Sequence, residues 1–284
     1  MRAGGACICG ALLGLAPRFA SAAEPSPPRP LVLAVHPYLA PQEIEKRFAP
    51  LAAILARTLG AEVVVRVGGS YTKHINAVGR DQVDVAFMGP AAYVRMLDRY
   101  GSKPLLARFE VAHEPNLYGV IAVPQGSPLH TLAELRGRRF AFGDPESTMS
   151  YYVPAWLLMT SGVPLATLGD QRFLGSHPNV ALAVLAGDYD AGALKREVYD
   201  QYAARGLRVL AELPPTPDHV FVTRADFPPA SVAKLREALL ALDQRADGRR
   251  VLAELHPGLT RLIPASESDY QTLRAMIRAV VAAQ

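Results

Sequence analysis

The chain has 284 residues, half of them hydrophobic and 20% charged, with a formal net charge of +4 and two cysteines. That length makes one large domain or two lobes of ordinary size. The charges are interspersed, densest at Arg136-Gly137-Arg138-Arg139, and form no stripe of the kind nucleic acid demands.

Residues 1–23 read as an export signal: Arg2 gives a positive start, Ala11 to Ala16 a short apolar run, and Ser21-Ala22-Ala23 the small residues of a cleavage point. Loss of Arg2 and Arg18 with that signal lowers the net charge from +4 to +2. Cys7 and Cys9 both lie inside it, so the mature chain has no disulfide, thiol nucleophile or cysteine metal site. Gly4-Gly5-Ala6, ahead of Cys7, lacks the hydrophobic residue of a lipid-attachment site. Residues 24–30 form a Pro-rich tether. No later stretch reaches the roughly 20 apolar residues of a membrane helix.

The apolar run 31–35 predicts a buried strand. A helix follows with Ile44, Phe48, Leu51 and Leu55 on one face, ended by Gly60. Residues 63–67 are the next strand, and Gly68-Gly69-Ser70 turns the chain into a helix from Tyr71. A strand at 83–87 is broken by Gly89-Pro90 before a helix through Tyr93, Met96 and Leu97. Such alternation implies a mostly parallel sheet with helices on both faces. Two long strands in succession, 105–111 and 117–123, mark a crossing between lobes. The alternation then restarts with a helix, a strand at 139–142, a hydroxyl-rich turn, a helix at 153–161, a strand at 172–174 and a helix at 178–186. Strands at 207–210 and 219–222 close the second unit, and 229–284 reads as entirely helical. The expected class is α/β with two lobes: 31–122 with 223–284 as the first, 123–222 as the second, and a ligand cleft between them.

Ligands of open α/β sheets bind beyond the carboxyl ends of strands, and polar turns stand at these points. The richest is Gly143-Asp144-Pro145-Glu146-Ser147-Thr148-Met149-Ser150-Tyr151. A strand feeding a helix there presents free N–H groups and the positive end of a helix dipole. Ser147, Thr148 and Ser150 add O–H donors, Tyr151 a phenol, and no Lys or Arg is present. That chemistry holds a small oxyanion reversibly, although Ser and Thr before a helix also serve as plain N-caps. Ser70-Tyr71-Thr72, Gly89-Pro90 with Tyr93, Gly175-Ser176-His177 and His36-Pro37-Tyr38 stand at comparable turns.

Together these motifs resemble the phosphate/phosphite/phosphonate-binding branch of the periplasmic solute-binding proteins of ABC transporters. Asp144-Pro145-Glu146-Ser147-Thr148 with Tyr151 and Pro154 is close to that family's Asp-Pro-x-Ser-Thr-Ser-Gly-Tyr-x-x-Pro. Val83-Asp84-Val85-Ala86 with Gly89-Pro90 and Tyr93, Gly175-Ser176-His177, Gly187 to Ala193, Leu252 to Leu255 and Asp269-Tyr270 follow in order. The resemblance implies a type II periplasmic-binding-protein fold without cofactor or metal. Ser147 and Thr148 would bind the oxyanion, Tyr71, Tyr93 and His177 complete the shell, and Asp190 lie near the cleft. His177 would bring pH sensitivity, its ordinary pKa being about 6.5. One departure is Met149-Ser150 where the pattern has Ser-Gly, which predicts a pocket of altered shape. The implied function is hinge closure around a small oxyanion, by a monomer serving a membrane permease and its ATPase. A receptor subunit of a sensor kinase would use the same mechanics. An enzyme on the same fold is the third reading, for which Ser147, His177 and Asp190 form a triad on paper only.

Overall fold

Leu31–Val35 (β1) consists of apolar side chains, as expected of a strand with a parallel neighbour on each side. The computed structural model describes Met1 and residues 29–284; the expected export signal beyond Met1, and the tether as far as residue 28, lie outside the described residues. From β1 the chain continues through Pro41–Leu59 (α1), Val63–Val67 (β2), Tyr71–Gly79 (α2), Val85–Met88 (β3), Pro90–Tyr100 (α3) and Leu105–Val111 (β4). Next come Asn116–Leu117 (β5), Gly119–Pro124 (β6), Arg139–Phe142 (β7), Val153–Thr160 (α4), Asp170–Phe173 (β8), His177–Leu185 (α5), Ala191–Lys195 (β9), Arg196–Ala203 (α6) and Leu207–Glu212 (β10). Thr216–Pro217 (β11), Val220–Thr223 (β12), Pro229–Leu240 (α7), Ala246–Leu255 (α8), Leu259–Ile263 (β13) and Gln271–Ala282 (α9) complete the described chain.

The strands form a six-stranded sheet, β13-β4-β12-β3-β1-β2, and a five-stranded sheet, β10-β6-β9-β7-β8. These are the cores of two lobes. Neither sheet is mostly parallel. In the first, β1 pairs in parallel with β2 and β3, whereas β12 and β13 add antiparallel partners. In the second, β7 has parallel neighbours and β6 antiparallel ones. The departure arises where the chain crosses between lobes, because the returning strand β12 inserts between β3 and β4 with opposite direction.

The crossings also fall earlier than the sequence suggested. β6 already belongs to the second sheet and β12 to the first, so the chain changes lobes between 112 and 118 and again between 213 and 219. There β5 and β11 pair antiparallel as a two-residue ladder. The tail is not entirely helical, because β13 forms the edge of the first sheet beside β4. α7 and α8 pack on α1, while α9 touches both α3 and α4 and so leans on both lobes.

A buried carboxylate ties the first lobe together. Asp84 is fully buried just before β3, accepting from Val32 N at 2.9 Å and Arg224 Nε at 3.1 Å. A carboxylate so placed must be hydrogen-bonded to be tolerated, and its partners fix β1 and the end of β12 against β3.

Candidate functional site

Between the lobes lies a cleft of about 550 Å³, floored near Leu117 at the crossing. The helices α2, α3 and α5 and the turn before α4 all begin at its walls, so their unpaired N–H groups and positive dipole ends converge there. The lobes touch on both sides of it. Thr148 Oγ1 accepts from Ala91 N at 2.9 Å, Glu146 pairs with Arg95 and Arg99, and His256 Nε2 lies 2.9 Å from Glu197 Oε2.

On the second lobe, the hydroxyl turn winds as a π-helical turn over Thr148–Tyr152, a widening frequent at functional sites. Ser147 is its N-cap, and its Oγ accepts from Ser150 N at 3.2 Å. The hydroxyl oxygens of Ser147 and Thr148 each accept one backbone N–H, from Ser150 and Ala91, and neither O–H donates to a described residue, so both remain to donate. Among the described residues, the N–H groups of Thr148 and Met149 have no hydrogen-bond acceptor. Two residues before His177, Gly175 takes φ +81°, a conformation costly for other residues, which turns β8 into α5. Ser176 caps that helix, and His177 Nδ1 accepts from Lys195 N at 3.1 Å. The ring is therefore the Nε2–H tautomer and offers a donor to the cleft. Burial first, then Lys195, pull His177 down to about 3, so it stays neutral near pH 7. That overturns the expected pH sensitivity at this residue: desolvation outweighs the exposed-imidazole value.

The first lobe contributes Tyr71 at the start of α2, whose ring lies 5.2 Å from that of His36. Burial pushes its phenol up, so it remains a neutral hydroxyl. His36 follows β1 and His219 precedes β12; their rings stack 5.2 Å apart at 17°.

Thus Tyr71, Ser147, Thr148 and His177 meet around one space. The other four expected residues do not. Tyr93 is fully buried, its ring edge-on to Tyr270 at 4.8 Å and its hydroxyl without a partner among the described residues; it faces the α9 side of α3 and packs there. Ser150 is fully buried, and its Oγ donates to Ala193 O at 2.7 Å. Tyr151 packs edge-on against Phe142 and Phe173, with its hydroxyl accepting from the Gln284 amide. Asp190 binds Arg139 through side chain and backbone, each at 2.8 Å. It precedes β9, whereas Lys195 at the far end lines the cleft; at a rise of about 3.3 Å per residue the two are roughly 16 Å apart along the strand. Of the departing pair Met149-Ser150, Ser150 is taken up by the second lobe's core, whereas Met149, 1% exposed and packed at Gly119, also borders the cleft.

Several cleft residues carried no sequence signal of their own. Lys195 Nζ sits 2.7 Å from Glu197 Oε2 and 3.3 Å from His256 Nε2. Burial opposes the charge of Glu197, yet His256 and Lys195 hold its carboxyl well below the usual range. The one hint was position: Lys195 ends the strand that the Gly187–Ala193 motif enters. Among the described residues, no group of three His, Cys, Asp or Glu side chains is placed to hold a metal, and no helix is long and apolar enough to cross a membrane.

A family profile described as "ABC transporter, phosphonate, periplasmic substrate-binding protein" matches residues 33–270, nearly the whole described chain. The chain belongs to this family. Within it, the chain is similar to the phosphonates-binding periplasmic protein of Escherichia coli, 21% identical over 224 residues that cover 75% of this chain and 66% of that one. It is also similar to a probable phosphite-binding protein of an ABC transporter from Prochlorococcus marinus, 21% identical over 253 residues, 83% of this chain and 84% of the relative. The solved structure of the Prochlorococcus protein with methylphosphonate covers 88% of this chain and 98% of its own, with a TM-score of 0.78 at 21% identity. That likeness is one of fold, the two-lobed type II periplasmic binding protein.

Proposed function

We propose that the protein captures a small phosphorus oxyanion of the phosphonate, phosphite or phosphate kind by closing its lobes around it. The closed form is then recognised by the permease of an ABC importer and its ATPase. The chain is exported by residues 1–23, acts as a monomer and performs no chemistry on the ligand. What carries this reading is the state of two hydroxyls at the cleft: the oxygens of Ser147 and Thr148 each accept one backbone N–H, and their O–H groups donate to nothing among the described residues, which leaves two donors for an acceptor-rich guest. His177 Nε2–H, the Tyr71 hydroxyl and the converging helix starts add donors without adding a fixed positive charge. The relatives' ligands, methylphosphonate in the Prochlorococcus complex and phosphonates in the Escherichia coli protein, belong to the same class. The lobes would hinge at the crossings where β5 and β11 pair.

Thermal unfolding against phosphate, phosphite, methylphosphonate, aminoethylphosphonate, sulfate and taurine tests this. A ligand bound by the native state raises the midpoint, by about 2.7 kcal/mol of stability at a hundredfold excess over Kd. A shift with a phosphorus oxyanion supports the reading. No shift with any phosphorus compound overturns it.

A further inference from the structure

The wall of the cleft opposite the hydroxyl turn has a hydrogen-bond polarity that the oxyanion clamp does not use. His36 Nδ1 lies 3.3 Å from Phe87 O, a carbonyl that only accepts, so Nδ1 carries the proton. His219 Nδ1 lies 2.6 Å from Asp218 Oδ1, a buried carboxylate held below its ordinary range although burial opposes its charge; here too Nδ1 carries the proton. Each ring therefore turns an Nε2 lone pair outward. Neither Nε2 has a hydrogen-bond partner among the described residues. Both look onto one spot: a Cβ built on Gly89 would lie 3.7 Å from His36 Nε2 and 3.8 Å from His219 Nε2. Two residues on, Ala91 N holds Thr148 Oγ1. The short segment from Gly89 to Ala91 thus separates two acceptors on the first lobe from the donors on the second.

A fully ionised oxyanion presents only acceptors and meets lone pair against lone pair at these two imidazoles. We propose that His36 and His219 form an acceptor pair that reads the proton on a singly ionised phosphorus oxyanion, so that the captured form is the monoanion with its P–OH directed at the imidazoles. This rests on the oxyanion-clamp reading and sharpens it: the clamp's donors hold the ionised oxygens, and the imidazole pair selects against acids that have no proton left, such as sulfate and sulfonates. The groups facing the pair are Asp218 beside His219, His74 and Tyr71 on α2, Tyr38 after β1, Lys195 at the end of β9, and His256 after α8, with Glu197 paired to the last two. Burial, then His219 and His74, hold His36 well below its ordinary value; burial also lowers His219 in spite of Asp218. Both rings are accordingly neutral from pH 7 upward, and alkaline pH changes the ligand's proton, not theirs.

Isothermal titration from pH 6.5 to 9.5 tests this, with methylphosphonate, phosphite and phosphate against methanesulfonate and sulfate. Affinity for the preferred phosphorus acid is expected to fall tenfold per pH unit above its second ionisation, the slope of one required proton. Sulfate and methanesulfonate are expected to bind at least 100-fold more weakly at pH 6.5. His36→Asn or His219→Asn, whose amide can turn an N–H to the ligand, is expected to narrow that gap tenfold or more and to flatten the slope; either variant serves if the other fails to fold. Equal affinity at both ends of the pH range, or a sulfonate bound as tightly as its phosphonate, overturns the inference and leaves the clamp intact. Binding of none of the five overturns the clamp and the inference with it.

Discussion

The two walls of the cleft are built from different chemistry. The second lobe offers hydroxyls, an Nε2–H and backbone N–H groups at helix starts, whereas the first adds to its own helix starts and the Tyr71 hydroxyl a pair of imidazole lone pairs that the second lacks. Yet in sequence Ser147, His177 and His36 look alike, each in a polar turn between strand and helix. The difference lies in what each side chain already gives or receives locally. A Ser whose oxygen accepts a backbone N–H still has its O–H to give, and a neutral imidazole that donates to a carbonyl is thereby an acceptor at its other nitrogen. Function follows from the unspent half of each group.

The sharpest way to break this asymmetry is to remove the donors. Ser147→Ala combined with Thr148→Val should weaken methylphosphonate binding at least 100-fold, on the order of 3 kcal/mol for two hydrogen bonds to a charged group; titration retaining affinity within threefold would place the anion elsewhere. On the first-lobe side, His74 is buried with its Nε2 unpartnered among the described residues, and burial pulls it to about 4. Between that value and the unfolded 6.5 the unfolded chain binds more protons, so stability falls as pH drops through this window. By pH 5 the loss from His74 is about 2 kcal/mol, and thermal scans of His74→Gln should lack that part of the slope. His177→Ala should cost about tenfold in affinity, roughly 1.4 kcal/mol for one donor. The affinity of the parent protein should show no step at His177 between pH 5 and 7.

Two tyrosines give a finer comparison. Tyr71→Phe should weaken binding severalfold, whereas Tyr93→Phe should leave affinity unchanged and raise the melting temperature, because it deletes a buried hydroxyl that has no partner among the described residues. Asp190→Asn is expected to have the smallest effect, with affinity within twofold, since its carboxylate serves Arg139 at the far end of β9.

The two-lobed architecture was legible because apolar runs such as 31–35 and 63–67 alternate with amphipathic segments such as that of Ile44, Phe48, Leu51 and Leu55. Sheet order was not. Nothing local to Val220–Thr223 tells that it slides between β3 and β4, or that Leu259–Ile263 leaves a helical tail to pair with β4. At the site, the turn positions of Ser147, Thr148, Tyr71 and His177 were readable as helix starts after strands. The misplacements of Tyr93, Ser150, Tyr151 and Asp190 share a cause: a short polar motif fixes where the backbone turns, while the direction of each side chain depends on what packs behind it. Lys195, His219 and His256 became visible only once distant segments were folded together.

The fit of β7 against the π-helical turn constrains the sequence itself. A Cβ on Gly143 would come within 2.5 Å of Ser150 Oγ and 2.8 Å of its Cβ. One compartment is shared by two positions seven residues apart, and only one of them can carry a side chain. Where this chain has Ser150, the pattern it resembles has Gly, which empties the compartment from the other side and frees position 143 to hold an alanine. The two positions should therefore drift as a linked pair across descendants of a common ancestor, each substitution permitted only after its counterpart has made room.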